Sequence, residues 1–479
     1  MPSVPRLAVS ATRGGLGKTT LSLGVIAAWR KKGRRIAVFK KGPDFIDAGW
    51  LGVAAGRPCY NLDLFMMEKE SILRSFAGHT AGVDAALMEG NRGLYDGVDE
   101  SGTYSTARLA KLLKMPVALI VDCTKASSTV GAVVLGCRNF DPEVDIRGII
   151  LNNVLPGRHE SVVRKSIERS SGLPVIGAVP RQRTGEFPER HMGLTPFHEH
   201  PEVERAISAS ALVAEKYLDL DEMWNIACGA PELETPKEPS TPLSAAGEDH
   251  VAIGVIKDAA FQFYYPDNLE ALARQGARIC EINALRDRTL PEIDALYIGG
   301  GFPETQAAEL AANEGFCRSL RAAAENGLPI YAECGGLIYL GRSLKIDERI
   351  YPMASVLPVD FMLEKRPQAH GYTLSTVRGS SPFLEMGVII RGHEFHYSRI
   401  VNVDDLPRMA YYMNRGAGIT GKEDGLTYKN VLACYTHLHA LGTPQWAGAM
   451  VRKAREHRKR KQEALESGHY LESRDTGRR

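Results

Sequence analysis

The stretch "RLAVSATRGGLGKTTLSLGVIAAWRKKG" (Arg6–Gly33) decides the fold of the first half of the chain. Arg6 to Thr12 reads as a buried strand, and the residues from Leu21 onward read as a helix. Between them lies a glycine-rich loop with Arg13, Gly14, Gly15, Gly17, Lys18, Thr19 and Thr20. A strand–loop–helix of this kind aims backbone N–H groups and a helix N-terminus at phosphate oxygens. Lys18 then reaches the β and γ phosphates of ATP, and Thr19 supplies an oxygen to Mg2+. Thr12 stands where GxxxxGK[ST] has its first glycine, so the loop is nearer to the deviant GGxGKT form with a basic residue ahead of it. The flanking strand and helix argue against a plain glycine turn with a surface lysine.

The next segment, "RRIAVFKKGPDFIDAGW" (Arg34–Trp50), is a β-rich run ending in Lys40, a Gly42-Pro43 turn, and two acids, Asp44 and Asp47. Carboxylates at the end of a strand suit metal or substrate contacts in an open α/β sheet. They equally suit turn and N-cap chemistry. "VDAALMEG" (Val83–Gly90) reads as a third strand ending in Glu89, a natural direct or indirect Mg2+ ligand beside a phosphate loop. "MPVALIVDC" (Met115–Cys123), "IRGIILNNV" (Ile146–Val154) and "LPVIGAVPR" (Leu173–Arg181) continue the series, with Asn152 placed to read an adenine edge or to cap a turn. Strands alternating with helical patterns predict a doubly wound, mostly parallel sheet.

Composition fits a soluble globular protein: 479 residues, 44% hydrophobic and 24% charged. The net charge of +2 gives no field that would favour nucleic acid. No apolar run is long enough to span a membrane, and the N-terminus lacks a signal pattern. Eight cysteines without CxxC spacing suit a reducing, cytoplasmic location. The Pro-, Ser- and Glu-rich segment 229–249 reads as a linker between a domain over 1–228 and a second over 250–450. A basic polar tail over 451–479 follows, with "RKAREHRKRK" at Arg452–Lys461.

The second domain repeats the alternation of strands and helices. "IYAECGGLIYL" (Ile330–Leu340) is a buried strand that breaks at Cys334 into Gly335-Gly336 and an apolar helix. A thiol on such a turn is exposed to substrate and faces a helix N-terminus, which lowers its pKa and supplies oxyanion donors. Gly300 and Gly301, in the Gly299–Gly301 loop of "IDALYIGGGFPE", add further N–H groups. A cysteine nucleophile needs a base. "VLACYTHLHALG" (Val431–Gly442) offers His437 and His439, either of which could instead be structural.

Nine motifs, in order, resemble the cobyrinate a,c-diamide synthase family. They are "FKKGPDFID", "EGNRGLYDG", "STARLAKLL", "PERHMGL", "DAAFQFYYPDNLEAL", "IGGGFPE", "AECGGLIYL", "HGYT" and "THLHA". The resemblance spans residues from about 6 to 445. It implies a dethiobiotin-synthetase-like ATPase domain joined to a class I glutamine amidotransferase domain, both doubly wound and mostly parallel. It implies amidation of the a and c acetate carboxylates of a tetrapyrrole, using ATP, Mg2+ and glutamine. By the same resemblance Cys334 attacks glutamine, His437 relays the proton, and the backbone near Gly300, Gly301 and Gly335 holds the oxyanion. Many class I amidotransferases carry a glutamate two residues after that histidine; here the position is His439, so the usual third member is absent or replaced. Lys18 and Lys40 steady the transferred phosphoryl group, and Thr19, Asp47 and Glu89 hold Mg2+. Asn152 contacts adenine, and Asp44, Tyr95 and Asp96 face the substrate. The implied partner is a small tetrapyrrole, with neither nucleic acid nor membrane, and a homodimer is compatible with it.

Arg13, Asn91 and Arg92 depart from the family pattern, and the two arginines add positive charge near the presumed site. Sirohaem and nickel-sirohydrochlorin amidases carry related motifs and act on the same paired acetates, so they are alternatives. The phosphate loop also resembles partition and positioning ATPases, for which the basic run Arg452–Lys461 would bind a partner. Such an ATPase has no use for a cysteine elbow with a distant histidine.

Overall fold

The computed structural model describes residues 4–181, 189–190, 193–194, 203–234, 236, 250–401 and 408–475. The motif "PERHMGL" lies partly, and the segment 229–249 mostly, outside them. The chain divides into two units, Met1–Pro239 and Ser240–Arg479.

The first unit alternates strands and helices: β1 (Arg6–Ala11), α1 (Lys18–Lys31), β2 (Ile36–Lys41), α2 (Phe45–Ala55), β3 (Cys59–Leu62), α3 (Lys69–Thr80), β4 (Ala85–Glu89), α4 (Thr106–Leu112), β5 (Val117–Asp122), α5 (Ser128–Phe140), β6 (Ile146–Val154), α6 (Arg158–Ser171) and β7 (Val175–Pro180). The strands form one seven-stranded sheet in the order β3-β2-β4-β1-β5-β6-β7, every pairing parallel. Helices on both faces leave the central strands no polar side, which is why β1, β2 and β4 are buried along their whole length. From β1 the chain runs toward one edge and from β4 it crosses to the other. The carboxyl ends of β1, β2 and β4 therefore flank a topological switch point, where open α/β sheets bind ligands. Register places Lys40 beside Glu89, and Glu89 beside Val9.

The sequence reading missed β3, a four-residue edge strand in a run with few β-branched residues. The start of the segment read as linker is tied to this unit. Arg147 donates to the carbonyl of Gly229 at 2.7 Å, Lys114 to that of Glu232 at 3.0 Å, and Arg6 to that of Pro231.

The second unit is built on a ten-stranded sheet. Five strands are parallel: Ala277–Ile282, Val251–Ile256, Ala295–Ile298, Ile330–Glu333 and Val431–Cys434. The sheet then continues antiparallel through Glu423–Tyr428, Met409–Arg415, Ala369–Val377, Ile389–His396 and His437–Leu438. The sheet is thus mixed rather than mostly parallel. Ala369–Val377 alternates buried and more exposed residues from Thr373 on, so it lacks the continuous apolar run that reveals the parallel strands.

The boundary expected at residue 450 falls inside a helix, Gln445–Asp475. Trp446, Met450, Val451 and Ala454 are buried in the core of this unit. The basic run is therefore a continuation of a packed element. Among its charges, Lys453 pairs with Glu456 at 2.8 Å and Lys461 with Glu292. Among the described residues no helix is long and apolar enough to cross a membrane.

Candidate active sites

In the first unit the phosphate loop leaves β1 and enters α1 through Gly17, whose φ of 71° is a left-handed conformation that a side chain would strain. Asn152, at the end of β6, donates from Nδ2 to the Leu16 carbonyl at 3.1 Å and so braces the loop from below. Its amide is engaged with the backbone of the loop. Arg13 pairs with Asp122 at 2.7 Å, so the charge it adds is answered locally. Arg92 adopts φ 53°, and its carbonyl accepts from Lys18 Nζ at 2.7 Å.

Behind the loop lies a buried charge cluster. Lys40 Nζ is 2.6 Å from Asp47 Oδ2 and 2.6 Å from Glu89 Oε1. Thr19 Oγ1 donates to the same Glu89 oxygen at 2.9 Å. Lys40 is 1% exposed and Glu89 fully buried. Burial pulls the Lys40 ammonium down, but Asp47 and Glu89 outweigh it and the group is held well above its ordinary value. Burial pushes Glu89 up, against the pull of Lys40. Burial also pushes Asp47 up, but the ion pair and hydrogen bond to Lys40 win and hold it below the usual carboxylate range. Burial lowers Lys18, and the neighbouring Lys40 charge lowers it further.

Asp44 is the N-cap of α2, accepting from the Asp47 N–H at 3.1 Å, so the capping reading of this acid is realised. Burial, then the charge of Asp47, pushes its carboxyl up to about 7. Tyr95 donates its hydroxyl to the Cys137 carbonyl at 2.6 Å and tilts against Phe140. Asp96 accepts from the Gly93 N–H at 2.7 Å. Both therefore fasten the loop after β4, and the Tyr95 hydroxyl is taken up by the backbone. Asn61, which sequence reasoning missed with its strand, holds the Gly42–Asp44 turn by donating to both carbonyls at 2.7 and 2.9 Å.

Glu89 Oε2 is buried and accepts no hydrogen bond. A bare carboxylate oxygen in a dry site is costly, and a cation there relieves the cost. Thr19, Asp47 and Glu89 are hard oxygen donors of the kind Mg2+ takes when phosphate oxygens and water complete its shell. Among the described residues no cluster of three or more His, Cys, Asp or Glu is built to hold a metal unaided. The residues fit a Mg2+ that arrives with a nucleotide.

In the second unit Cys334 directly follows the strand Ile330–Glu333 and caps the helix Gly335–Leu340, with φ 47° and ψ −97°. Such a backbone is strained for a residue with a side chain and occurs where surrounding contacts enforce it. Here the Cys334 N–H donates to the Cys434 carbonyl at 2.7 Å, and the Gly336 N–H to the Gly299 carbonyl at 3.2 Å. The glycine loop therefore lies against the elbow. A Cβ on Gly335 would sit 3.1 Å from the Gly301 nitrogen, and one on Gly300 would sit 2.4 Å from His437 Cε1. Glycine at these positions lets the Gly299–Gly301 loop, the Cys334 turn and His437 pack together.

The geometry separates the two histidines. His437 stacks on His393 at 4.9 Å, and its Nδ1 lies 3.4 Å from Glu333 Oε2. His439 instead faces Asp267 at 3.4 Å, and its Nδ1 accepts from the Leu441 N–H at 3.2 Å. Glu333 ends a buried strand as Glu89 does, and that position was its available signal; its closeness to His437 comes from tertiary contact alone.

Burial pushes the Cys334 thiol well above its ordinary value, and the charge of Glu304 adds to this against the Gly335 N–H. The lowered pKa expected from the helix N-terminus is thus overturned: the helix has six residues, and burial outweighs its dipole. Burial, then the charge of His396, pulls His437 down to about 3. Burial thus favours the neutral form of both the thiol and the imidazole.

A phosphate loop backed by a lysine–carboxylate cluster, followed by a cysteine elbow and a buried histidine against one glycine loop, defines a glutamine-hydrolysing ligase that forms carbon–nitrogen bonds. Residues 7–194 match the family model of the CobQ/CobB/MinD/ParA nucleotide binding domain, and residues 252–445 match the CobB/CobQ-like glutamine amidotransferase domain. Cobyrinate a,c-diamide synthase of Magnetococcus marinus is 41% identical over 95% of this chain and 98% of its own. The enzymes of that name from Archaeoglobus fulgidus and Dehalococcoides mccartyi are each 38% identical over 94% of this chain and 98% of their own. The chain belongs to the cobyrinate a,c-diamide synthase family.

Proposed function

We propose that the chain converts the a and c acetate carboxylates of cobyrinate to amides in the cytoplasm, with ATP, Mg2+ and glutamine. The observation that carries this reading is the identity of 41% to a cobyrinate a,c-diamide synthase over 95% of the chain, spanning both catalytic units.

Each amidation takes three reactions, one in the second unit and two in the first. In the second unit Cys334 attacks the glutamine side-chain amide, His437 passes the thiol proton to the departing ammonia, and water later frees glutamate from the thioester. N–H groups of the Gly300–Gly301 loop and of Gly335 hold the oxyanion. In the first unit a substrate carboxylate takes the γ-phosphoryl group of ATP, giving an acyl phosphate and ADP. Ammonia displaces phosphate to leave the amide. A free carboxylate cannot react this way, because its leaving group would be oxide. Lys18 and Lys40 balance charge on the transferred group, and Asn152 keeps the loop in shape beside the adenine. Thr19, Asp47 and Glu89 would hold Mg2+, which when bound screens the phosphate charge. Asp44, Tyr95 and Asp96 line the substrate side.

The test is a mass-spectrometric assay of the purified protein with ATP, Mg2+ and glutamine, offering cobyrinic acid and sirohaem in parallel. Each step replaces OH by NH2, so two successive mass losses on cobyrinic acid support the reading. Turnover of sirohaem alone overturns the substrate. No glutamine hydrolysis at all overturns the mechanism.

A further inference from the structure

His439 occupies the position where many class I amidotransferases place the glutamate that orients the catalytic histidine, and it is turned toward Asp267 at 3.4 Å. A carboxylate nevertheless reaches the correct ring nitrogen from another direction. Glu333 ends the strand that carries the nucleophile and lies in register with Cys434, three residues before His437. It is 1% exposed. Its Oε2 lies 3.4 Å from His437 Nδ1 and accepts from the Tyr297 hydroxyl at 3.1 Å, while its Oε1 accepts from the Leu438 N–H at 3.2 Å. Donors from two other strands thus converge on both oxygens, an arrangement that favours the anion.

We infer that Glu333 is the positioning carboxylate of the glutaminase: it holds His437 with the proton on Nδ1 and leaves the Nε2 lone pair to take the proton of Cys334. The inference rests on the function proposed above. A Cβ on Gly300 would sit 3.2 Å from His437 Nε2, so that nitrogen points to the oxyanion side of the site. With Nδ1–H donated to a carboxylate, the imidazolium formed during attack is stabilised where it forms, without Glu333 touching the substrate. One carbon–nitrogen bond breaks and the proton path is Cys334 to His437 to ammonia. Glu333 gains and loses none.

Glu333 is faced by Tyr297, Tyr331, His437 and His439. Burial pushes its carboxyl up to about 8, against the Leu438 N–H and the two tyrosine hydroxyls. A protonated Glu333 can still accept from Nδ1 through its carbonyl oxygen, but it carries no charge to stabilise the imidazolium. Glutamine hydrolysis by the wild type should therefore climb with pH through the range around 8.

The experiment compares wild type, E333Q and E333D for glutamine hydrolysis across pH, with ammonium-driven amidation measured alongside. E333Q keeps the shape and removes the charge. It should lower the glutaminase kcat by a factor on the order of 100 or more with KM within about threefold, and it should lose the alkaline rise. E333D should recover part of the rate. E333Q with kcat within about threefold of wild type and the same pH profile overturns the inference. If E333Q does not fold, 15N NMR of histidine-labelled wild type decides: a His437 resonance with Nδ1 protonated supports the role, and the Nε2-protonated tautomer refutes it. Failure of the wild type to hydrolyse glutamine would sink the underlying function instead, a separate result.

Discussion

Replacing Lys40 by methionine tests the buried cluster of the first unit. Lys40 is the shared cation of Asp47 and Glu89, at 2.6 Å from each. Methionine keeps an unbranched chain, one atom shorter, and leaves two carboxylates facing each other without a counter-charge. Breaking a buried pair by removing one partner costs about 3–5 kcal/mol, because the charge left behind is neither solvated nor paired. For a unit of this size that corresponds to a fall in Tm of roughly 6–20 °C. The deficit has a sign in pH. Without Lys40 the folded pKa of both carboxyls rises above the unfolded value. A raised carboxyl supports the fold below the unfolded pKa and loses that support as pH rises through the folded one. K40M should therefore be closer to wild type at pH 5 than at pH 8. The assay is calorimetric melting of wild type and K40M at both pH values, with K40M/E89Q/D47N as the charge-free control. That triple variant should recover most of the loss, since neutral groups of similar volume replace the stranded charges. A K40M melt within about 1–2 °C of wild type at pH 8 would refute the reasoning.

Further outcomes are expected of single variants. Cys334→Ser should abolish glutamine-dependent amidation and retain ammonium-driven amidation; loss of both, measured by product mass, would count against two separate chemistries. Glu89→Gln should raise the Mg2+ concentration needed for half-maximal activity, and an unchanged titration would place the metal elsewhere. Asp44 has a folded pKa of about 7, above its unfolded value, so it contributes stability at low pH that is lost as pH rises through 7. Asp44→Asn keeps the N-cap and should flatten the change in Tm between pH 6 and 8; an identical slope in both proteins would dismiss the titration.

Much of the fold was legible because parallel strands buried on both faces are continuous apolar runs. Ile146–Val154 was read with its observed ends, and Glu89 and Cys334 were found at strand termini where apolar runs stop. β3 was missed because four residues at a sheet edge carry little pattern. The antiparallel half of the second sheet was missed because strands such as Ala369–Val377 and Glu423–Tyr428 mix polar and apolar residues and lack a continuous apolar run. The tail boundary failed because the basic residues of Gln445–Asp475 conceal the buried stripe of Trp446, Met450 and Ala454.

The sequence by itself determined the two α/β units, the phosphate loop and the cysteine elbow, since each is a local pattern of strand, glycine and helix. The tertiary structure alone decided which residues act together. It put His437 beside Gly300 and Glu333 and turned His439 toward Asp267, and it made Asn152 brace Leu16. It brought Lys40, Asp47 and Glu89 into one charge cluster, and it made burial outweigh a short helix dipole at Cys334. These are contacts between residues distant in sequence and balances of desolvation against charge, and both come into being only when the strands lie side by side.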